Sequence, residues 1–285
     1  MYYNSIKKLE NLSETLFLPL YCRAIESNTK NPILIDEKSV QIVKNLDKYF
    51  SENKSNFNQM LLKRNLPKLY VIKISLLTKK IDEYANKFLT KNPNGLIVNL
   101  GCGLDLRYHR LADKKVDFYD IDFPEVINLK KQFIKEKSNY HLVGLSIFDF
   151  KWFDVLKQKK NKSILFIAQG VFEYLEENKV KSLILELQKN FPGSEIVFDV
   201  VNSYFVKKKH YINKKFQKRY NLSKEITFNF GIARSNELMS WNTGIMFLDE
   251  WSFYDAPHKK IRFHFLDRIY ERFRKTFFIV HYKLD

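Results

Sequence analysis

At 285 residues, with 45% hydrophobic and 15% aromatic side chains, the chain is long enough to bury a sizeable core and lies far from disordered compositions. Its 8 Gly and 7 Pro exclude collagen-like and Pro/Gly low-complexity arrangements. The formal net charge of +17 points by itself to nucleic acid or an anionic surface, but residues 101–200 carry 16 basic and 15 acidic side chains, against 17 and 8 in residues 201–285. The excess sits in the flanks, mostly as Lys, with no Arg-rich block and no basic stripe interleaved with aromatics, which reads as solvated lysine faces and argues against nucleic acid as a partner. Two cysteines, Cys22 and Cys102, make neither a disulfide framework nor a zinc site, so a reducing cytoplasm is the expected location. No apolar run approaches the ~20 residues that span a bilayer, so no membrane segment is expected. Leu16–Leu20 is broken by Pro19 and preceded by Glu10 and Glu14, a poor signal peptide.

Residues 1–92 read as a helical cover. Leu61, Leu62, Leu66, Leu69, Ile72, Leu76 and Leu77 recur at helical spacing, and Ile81, Tyr84, Ala85, Phe88 and Leu89 continue the stripe until Pro93-Asn94-Gly95 stops it. Ser51–Asn56 is the expected loop within this third. Residues 93–201 change character: Leu96–Leu100, Val116–Ile121, His141–Leu145, Ile164–Ala168 and Glu195–Val201 are apolar runs of strand length. Helical stretches such as Glu125–Lys137 and Glu176–Asn190 lie between them, the alternation that builds a parallel sheet covered on both faces. Residues 202–285 hold a polar helical stretch containing Lys207–His210 and Lys214-Lys215. Two more strands, Gly244–Leu248 and Phe277–Tyr282, are expected there, separated by a helix near Ile261–Phe273 and filling places in the same sheet.

The most informative residues follow the first strand, in Asn99-Leu-Gly101-Cys-Gly103-Leu-Asp105. Two glycines one residue apart allow a tight turn and close approach of backbone to a ligand. Leu106 stands where a dinucleotide fingerprint needs its third glycine, and no GxxxxGK[ST] loop occurs. Asp122 ends the second strand 19 residues beyond Gly103, the interval at which an acid accepts hydrogen bonds from ribose hydroxyls; its alternative role is to cap the helix entered at Pro124. Ser146-Ile-Phe-Asp149 and Ala168-Gln-Gly-Val-Phe-Glu-Tyr174 follow the third and fourth strands, so all four loops line one crevice.

The runs Val98–Arg110, Tyr119–Ile127, Ser146–Asp149, Gly170–Glu177 and Phe191–Asp199, with Leu12–Leu16, Arg23–Ser27 and Leu248–Ser252, resemble the leucine carboxyl methyltransferase family, and within it the tetracenomycin-type polyketide O-methyltransferase branch. The resemblance covers nearly the whole chain. It implies an α/β class I methyltransferase: a Rossmann-like, seven-stranded, mostly parallel sheet with helices on both faces and an α-helical N-terminal cover. It implies S-adenosyl-L-methionine as cofactor, with Gly101 and Gly103 facing its methionine part, Asp122 its ribose, Asp149 and the backbone at Phe148 its adenine, and Gln169 its amino-acid end. The family usually has a carboxylate where Gln169 stands and an arginine where Leu77 stands, so Arg23 or Lys79 is expected to meet the cofactor's carboxylate instead.

No GxSxG elbow, HExxH helix or DxDxDG loop occurs, and Cys102 reads as a small residue of the turn rather than a nucleophile. His109 and His210 are the histidines that could face the crevice; Tyr204, Phe205, Tyr211, Phe228, Phe230 and Trp241 mark a lid over an apolar acceptor pocket. The expected reaction is methyl transfer to a carboxylate or hydroxyl of a small-molecule, polyketide-like or peptide-like acceptor. No general base stands out in the sequence, which favours a carboxylate or an acidic phenol. The competing readings are a non-catalytic or weakly active ligand-binding homologue and an RNA methyltransferase.

Overall fold

The computed structural model describes residues 13–52, 55–112, 115–159, 162–207, 227–253, 255, 260 and 276–285. Four helices precede the first strand: α1 (Ser13–Ser27), α2 (Glu37–Glu52), α3 (Asn56–Leu62) and α4 (Lys68–Lys91). Ser55 starts α3 by accepting the Asn58 N–H on its side chain at 3.1 Å, an ordinary N-cap. The periodic stripe of α4 is its buried face, from Val71 and Ile72 through Ile81 to Phe88 and Leu89. The helix ends at Lys91, just before Pro93.

The sheet uses strands β1 (Leu96–Leu100), β2 (Asp117–Asp122), β3 (Tyr140–Gly144), β4 (Ile164–Ala168), β5 (Ser194–Asn202), β7 (Ile245–Ser252) and β8 (Phe277–Leu284), in the order β3-β2-β1-β4-β5-β8-β7. An eighth strand of two residues, β6 (Gly231–Ile232), runs parallel to the end of β5 and was not expected from its sequence. The pairs among β1 to β5 are parallel, and β8 lies antiparallel to both β5 and β7. This is the expected class I methyltransferase architecture.

Alternation along the strands divides the core in two. Ile97, Leu165, Ile167 and Val197 face α1 to α4, whereas Leu96, Val98, Phe166, Ala168, Ile196 and Phe198 face α7 (Trp152–Lys157) and α8 (Glu177–Asn190). With strands covered on both sides, the carboxyl ends of β1, β2, β4 and β5 form one edge where loops are free to carry chemistry. One expected span differs and one is not described. The helix after β2 is only α6 (Pro124–Lys130), because the Gln132 and Phe133 N–H groups bond three residues back, to Leu129 and Lys130. The expected helix near Ile261–Phe273 lies outside the described residues, as do His210, Tyr211 and Lys214-Lys215.

Candidate functional site

The first half of the crevice is built around the glycine turn. Gly101 and Gly103 have φ of +60° and +49°, a region that side-chain-bearing residues avoid. A Cβ on Gly101 would lie 2.7 Å from Val171 Cγ2, and one on Gly103 would lie 3.1 Å from Leu16 Cδ1, so the β4 loop and α1 both close on this turn. Asp122 does not cap α6, whose N-cap is Phe123 with no side-chain bond. Its Oδ2 instead accepts the Gly103 N–H at 2.7 Å and its Oδ1 the Phe123 N–H at 2.7 Å. Burial raises its carboxyl, against the pull of those two N–H donors.

Beneath the turn lies a sealed polar cluster. Lys130, 0% exposed, pairs with Asp120 at 2.8 Å and donates to the Asp105 carbonyl. Asp120 also accepts from Tyr140 Oη at 2.6 Å and from Asn99 Nδ2 at 2.9 Å. Burial pulls the Lys130 ammonium down, yet Asp120 outweighs it and holds the pKa above its usual range.

A second network joins the cover to the crevice. Arg107 and Arg110 come from α5 (Arg107–Arg110). Arg110 reaches Asp36, Asp82 and Asp105 at 2.7 to 2.9 Å, and Arg107 reaches Asp82 and Asp105 at 2.9 Å. Arg23 pairs with Asp36 at 2.9 Å and donates to the Leu104 carbonyl at 2.8 Å, so this buried guanidinium ties α1 to the glycine turn. Three arginines meet three aspartates. Although burial alone would raise them, these cations hold Asp36 below and Asp105 well below the usual carboxylate range. Gln169 is bound into this network: its Oε1 accepts from Arg107 Nη2 at 2.7 Å and its Nε2 donates to Thr78 Oγ1 at 3.0 Å. Leu77 is buried in the core and Lys79 is exposed.

The other predicted residues lie where the strand order places them. Phe148 and Asp149 occupy the turn after β3, where the Phe148 N–H bonds Ser146 Oγ at 3.3 Å and the Asp149 N–H bonds the Ser146 carbonyl at 2.9 Å. Cys102 is buried and its thiol is pushed well up by burial, unsuited to nucleophilic work. His109 packs edge-on to Tyr108 and Tyr140. The aromatic lid residues divide: Phe228 stacks on Tyr174 at 5.6 Å, while Phe230 and Trp241 pack together at 6.1 Å against the far-side core.

The second half of the crevice holds what sequence reading missed. Gly170 borders open space, with no atom within 4 Å of the position a Cβ would take. Its N–H donates to Asp199 Oδ1 at 2.7 Å. Asp199 sits one residue past the Ala168–Phe198 pairing, level with Gln169. Glu173 lies in the short 3-10 turn Phe172–Tyr174 after β4; it is 5% exposed, and its Oε2 has no hydrogen-bond partner. Its backbone carbonyl accepts from Asn229 N at 2.7 Å, which pins the turn under residues 229–230. Burial, then the neighbouring Asp199 charge, pushes Glu173 well up; burial lifts Asp199 to about 6 against the Gly170 N–H and the Arg107 charge.

The sequence profile of the leucine carboxyl methyltransferase family matches residues 18–188. The chain is 26% identical to the tetracenomycin polyketide synthesis O-methyltransferase TcmP of Streptomyces glaucescens, over 88% of this chain and 86% of that one. It is 28% identical to the S-adenosyl-L-methionine-dependent methyltransferase dpfgK of Gibberella zeae, over 70% of each. A crystal structure from Thermobifida fusca, whose methyltransferase assignment is provisional, superposes with a TM-score of 0.51 at 11% identity over 94% of both chains.

Proposed function

The chain belongs to the leucine carboxyl methyltransferase family and is an S-adenosylmethionine-dependent methyltransferase, and from that premise we propose that it methylates an oxygen, carboxylate or hydroxyl, of a small polyketide-like acceptor. The observation that supports this reading is the bond from the Gly103 N–H to Asp122 at the carboxyl ends of β1 and β2, with Gly170, after β4, bordering open space. These residues fit the cofactor. Asp122 keeps lone pairs beyond the two it has given to backbone N–H groups, enough for ribose hydroxyls. The glycine turn brings bare backbone to the crevice, and Phe148 and Asp149 offer an apolar face and a polar edge to a base. At the amino-acid end the fit is through a neutral amide, Gln169, in place of a charge. Arg23 serves this end by holding the Leu104 carbonyl with Nη2 while its Nε donates to Asp36.

When bound, the cofactor supplies a sulfonium-activated methyl group, so the protein's task is alignment. Proximity and orientation of this kind remove roughly 7–11 kcal/mol of barrier. The sealed Lys130–Asp120 cluster keeps the turn rigid, and α1, resting on Gly103 through Leu16, excludes water from above.

Calorimetric titration with S-adenosylmethionine and S-adenosylhomocysteine tests the reading. Micromolar binding is expected, lost in Asp122→Ala protein that retains its circular dichroism. Folded wild-type protein that binds neither ligand would overturn the enzyme reading in favour of a non-catalytic homologue.

A further inference from the structure

Gln169 leaves β4 two residues beyond the Asn99–Ile167 pairing, as Gly101 leaves β1, so the amide and the glycine turn share the carboxyl edge of two neighbouring strands. Val171, resting on Gly101, keeps the two loops together, and the exposed Gly170 between Gln169 and Val171 borders open space. The orientation of the amide is dictated by its partners. Arg107 can only donate, so the atom on its Nη2 at 2.7 Å is the amide oxygen Oε1, and the nitrogen Nε2 turns to Thr78 Oγ1 at 3.0 Å. Both partners are sealed, Thr78 at 0% exposure and Arg107 with its side chain at 0%, whereas Gln169 is half-buried. Nε2 therefore has a second N–H to give. The guanidinium on Oε1 draws electron density along the amide and strengthens that donor. Oε1 keeps a second lone pair, but a cation arriving there would meet the like charge that already touches this oxygen.

We propose that Gln169 recognises the carboxylate of the cofactor's amino-acid end and not its ammonium. This rests on the methyltransferase reading above. Through its amide, Gln169 carries into the crevice the polarity of a guanidinium that is itself buried on Asp82 and Asp105. Arg23, one of the two cations expected at this place from the sequence, is 3% exposed and is turned to the Leu104 carbonyl. A carboxylate at position 169 would have the opposite preference, accepting from the ammonium and repelling the cofactor's own carboxylate. The exchange of an acid for an amide thus inverts which group of the amino acid is read at this strand end.

Calorimetric titration with three nucleosides reads the assignment without turnover. They are S-adenosylhomocysteine, its analogue with a 3-aminopropyl chain on sulfur, which lacks the carboxylate, and its analogue with a 3-carboxypropyl chain, which lacks the amine. In wild-type protein, loss of the carboxylate should weaken binding about 10–100-fold, as expected for a hydrogen bond to a charged group, and loss of the amine less than about 3-fold. Gln169→Glu should reverse that order. Gln169→Met, which has no donor, should reduce the effect of removing the carboxylate to that of removing the amine. Circular dichroism identifies the variants that fold. Wild-type protein that loses as much with the amine as with the carboxylate, or more, would overturn the assignment, as would a folded variant that keeps the wild-type ratio. Wild-type protein that binds none of the three would instead sink the methyltransferase reading itself.

Discussion

The two halves of the crevice are built on opposite terms. On the β1–β2 side Lys130, Asp120, Tyr140 and Asn99 satisfy one another, Asp122 spans the glycine turn, and the arginine–aspartate network behind is balanced three to three. On the β4–β5 side Gly170 faces open space, and among the described residues neither Glu173 nor Asp199 forms an ion pair, the Arg107 charge acting on Asp199 from beyond bonding distance. Satisfied polar groups fix a geometry, which suits a cofactor that must be held the same way every turnover. Unsatisfied buried carboxyls sacrifice stability and gain a raised proton affinity.

The largest effect that would break this contrast lies in the sealed half. Lys130→Met leaves Asp120 buried without its cation and the Asp105 carbonyl without its donor. Loss of one member of a buried pair costs about 3–5 kcal/mol, and urea denaturation should show it. A loss below about 1 kcal/mol would mean that the cluster is not what fixes the turn. The open half should respond in the other direction. Burial raises Asp199 to about 6 from a model-peptide value of 3.8, so the folded state holds that proton more tightly than the unfolded one. Stability from this group is therefore full below about pH 4 and is lost as pH rises through 6, by about 3 kcal/mol at most. Asp199→Asn, which keeps an oxygen for the Gly170 N–H, should match wild type in melting temperature near pH 4 and exceed it at pH 8. A variant that melts lower at pH 8 would show that the ionised carboxylate stabilises the loop.

How far the sequence revealed each half follows from the range of the interactions involved. Leu96–Leu100 and Ile164–Ala168 are legible residue for residue, because strands buried on both faces read as unbroken apolar runs. The glycine turn and Asp122 are legible because their signal is local spacing, although the Gly103–Asp122 bond itself shows only in three dimensions. Glu173 is different. Its environment is made by Asp199, 26 residues later and brought alongside by β4–β5 pairing, and by Asn229 folding back onto its carbonyl. The signal that could have found it was an acid two residues beyond an apolar Val171 in a loop otherwise committed to burial. The arginine network was hidden for the same reason: Asp36, Asp82 and Asp105 come from three separate segments and meet only around α5. Lys130 falls inside the expected helix Glu125–Lys137, where nothing local shows that Asp120 lies beneath it.

Gln169 is the seam between the two halves, and its substitution sharpens the contrast with the smallest expected effect. Its amide does two jobs that a carboxylate cannot do together: it accepts from Arg107 and donates to Thr78. Gln169→Glu would keep the first bond, strengthened by charge, and would keep the second only by turning the Thr78 hydroxyl round to donate. It would also add a fourth negative charge to a network whose three arginines already face three aspartates, one strand away from Asp199. The two terms oppose one another, so the net loss of stability without cofactor should be only about 1 kcal/mol, read from thermal melting. With S-adenosylmethionine bound, the ligand's ammonium supplies the missing positive charge, and the deficit should shrink. A variant more stable than wild type without ligand would show that the arginines carry spare charge into the crevice, and the boundary between the balanced and unbalanced halves would then have to be moved to include Arg107.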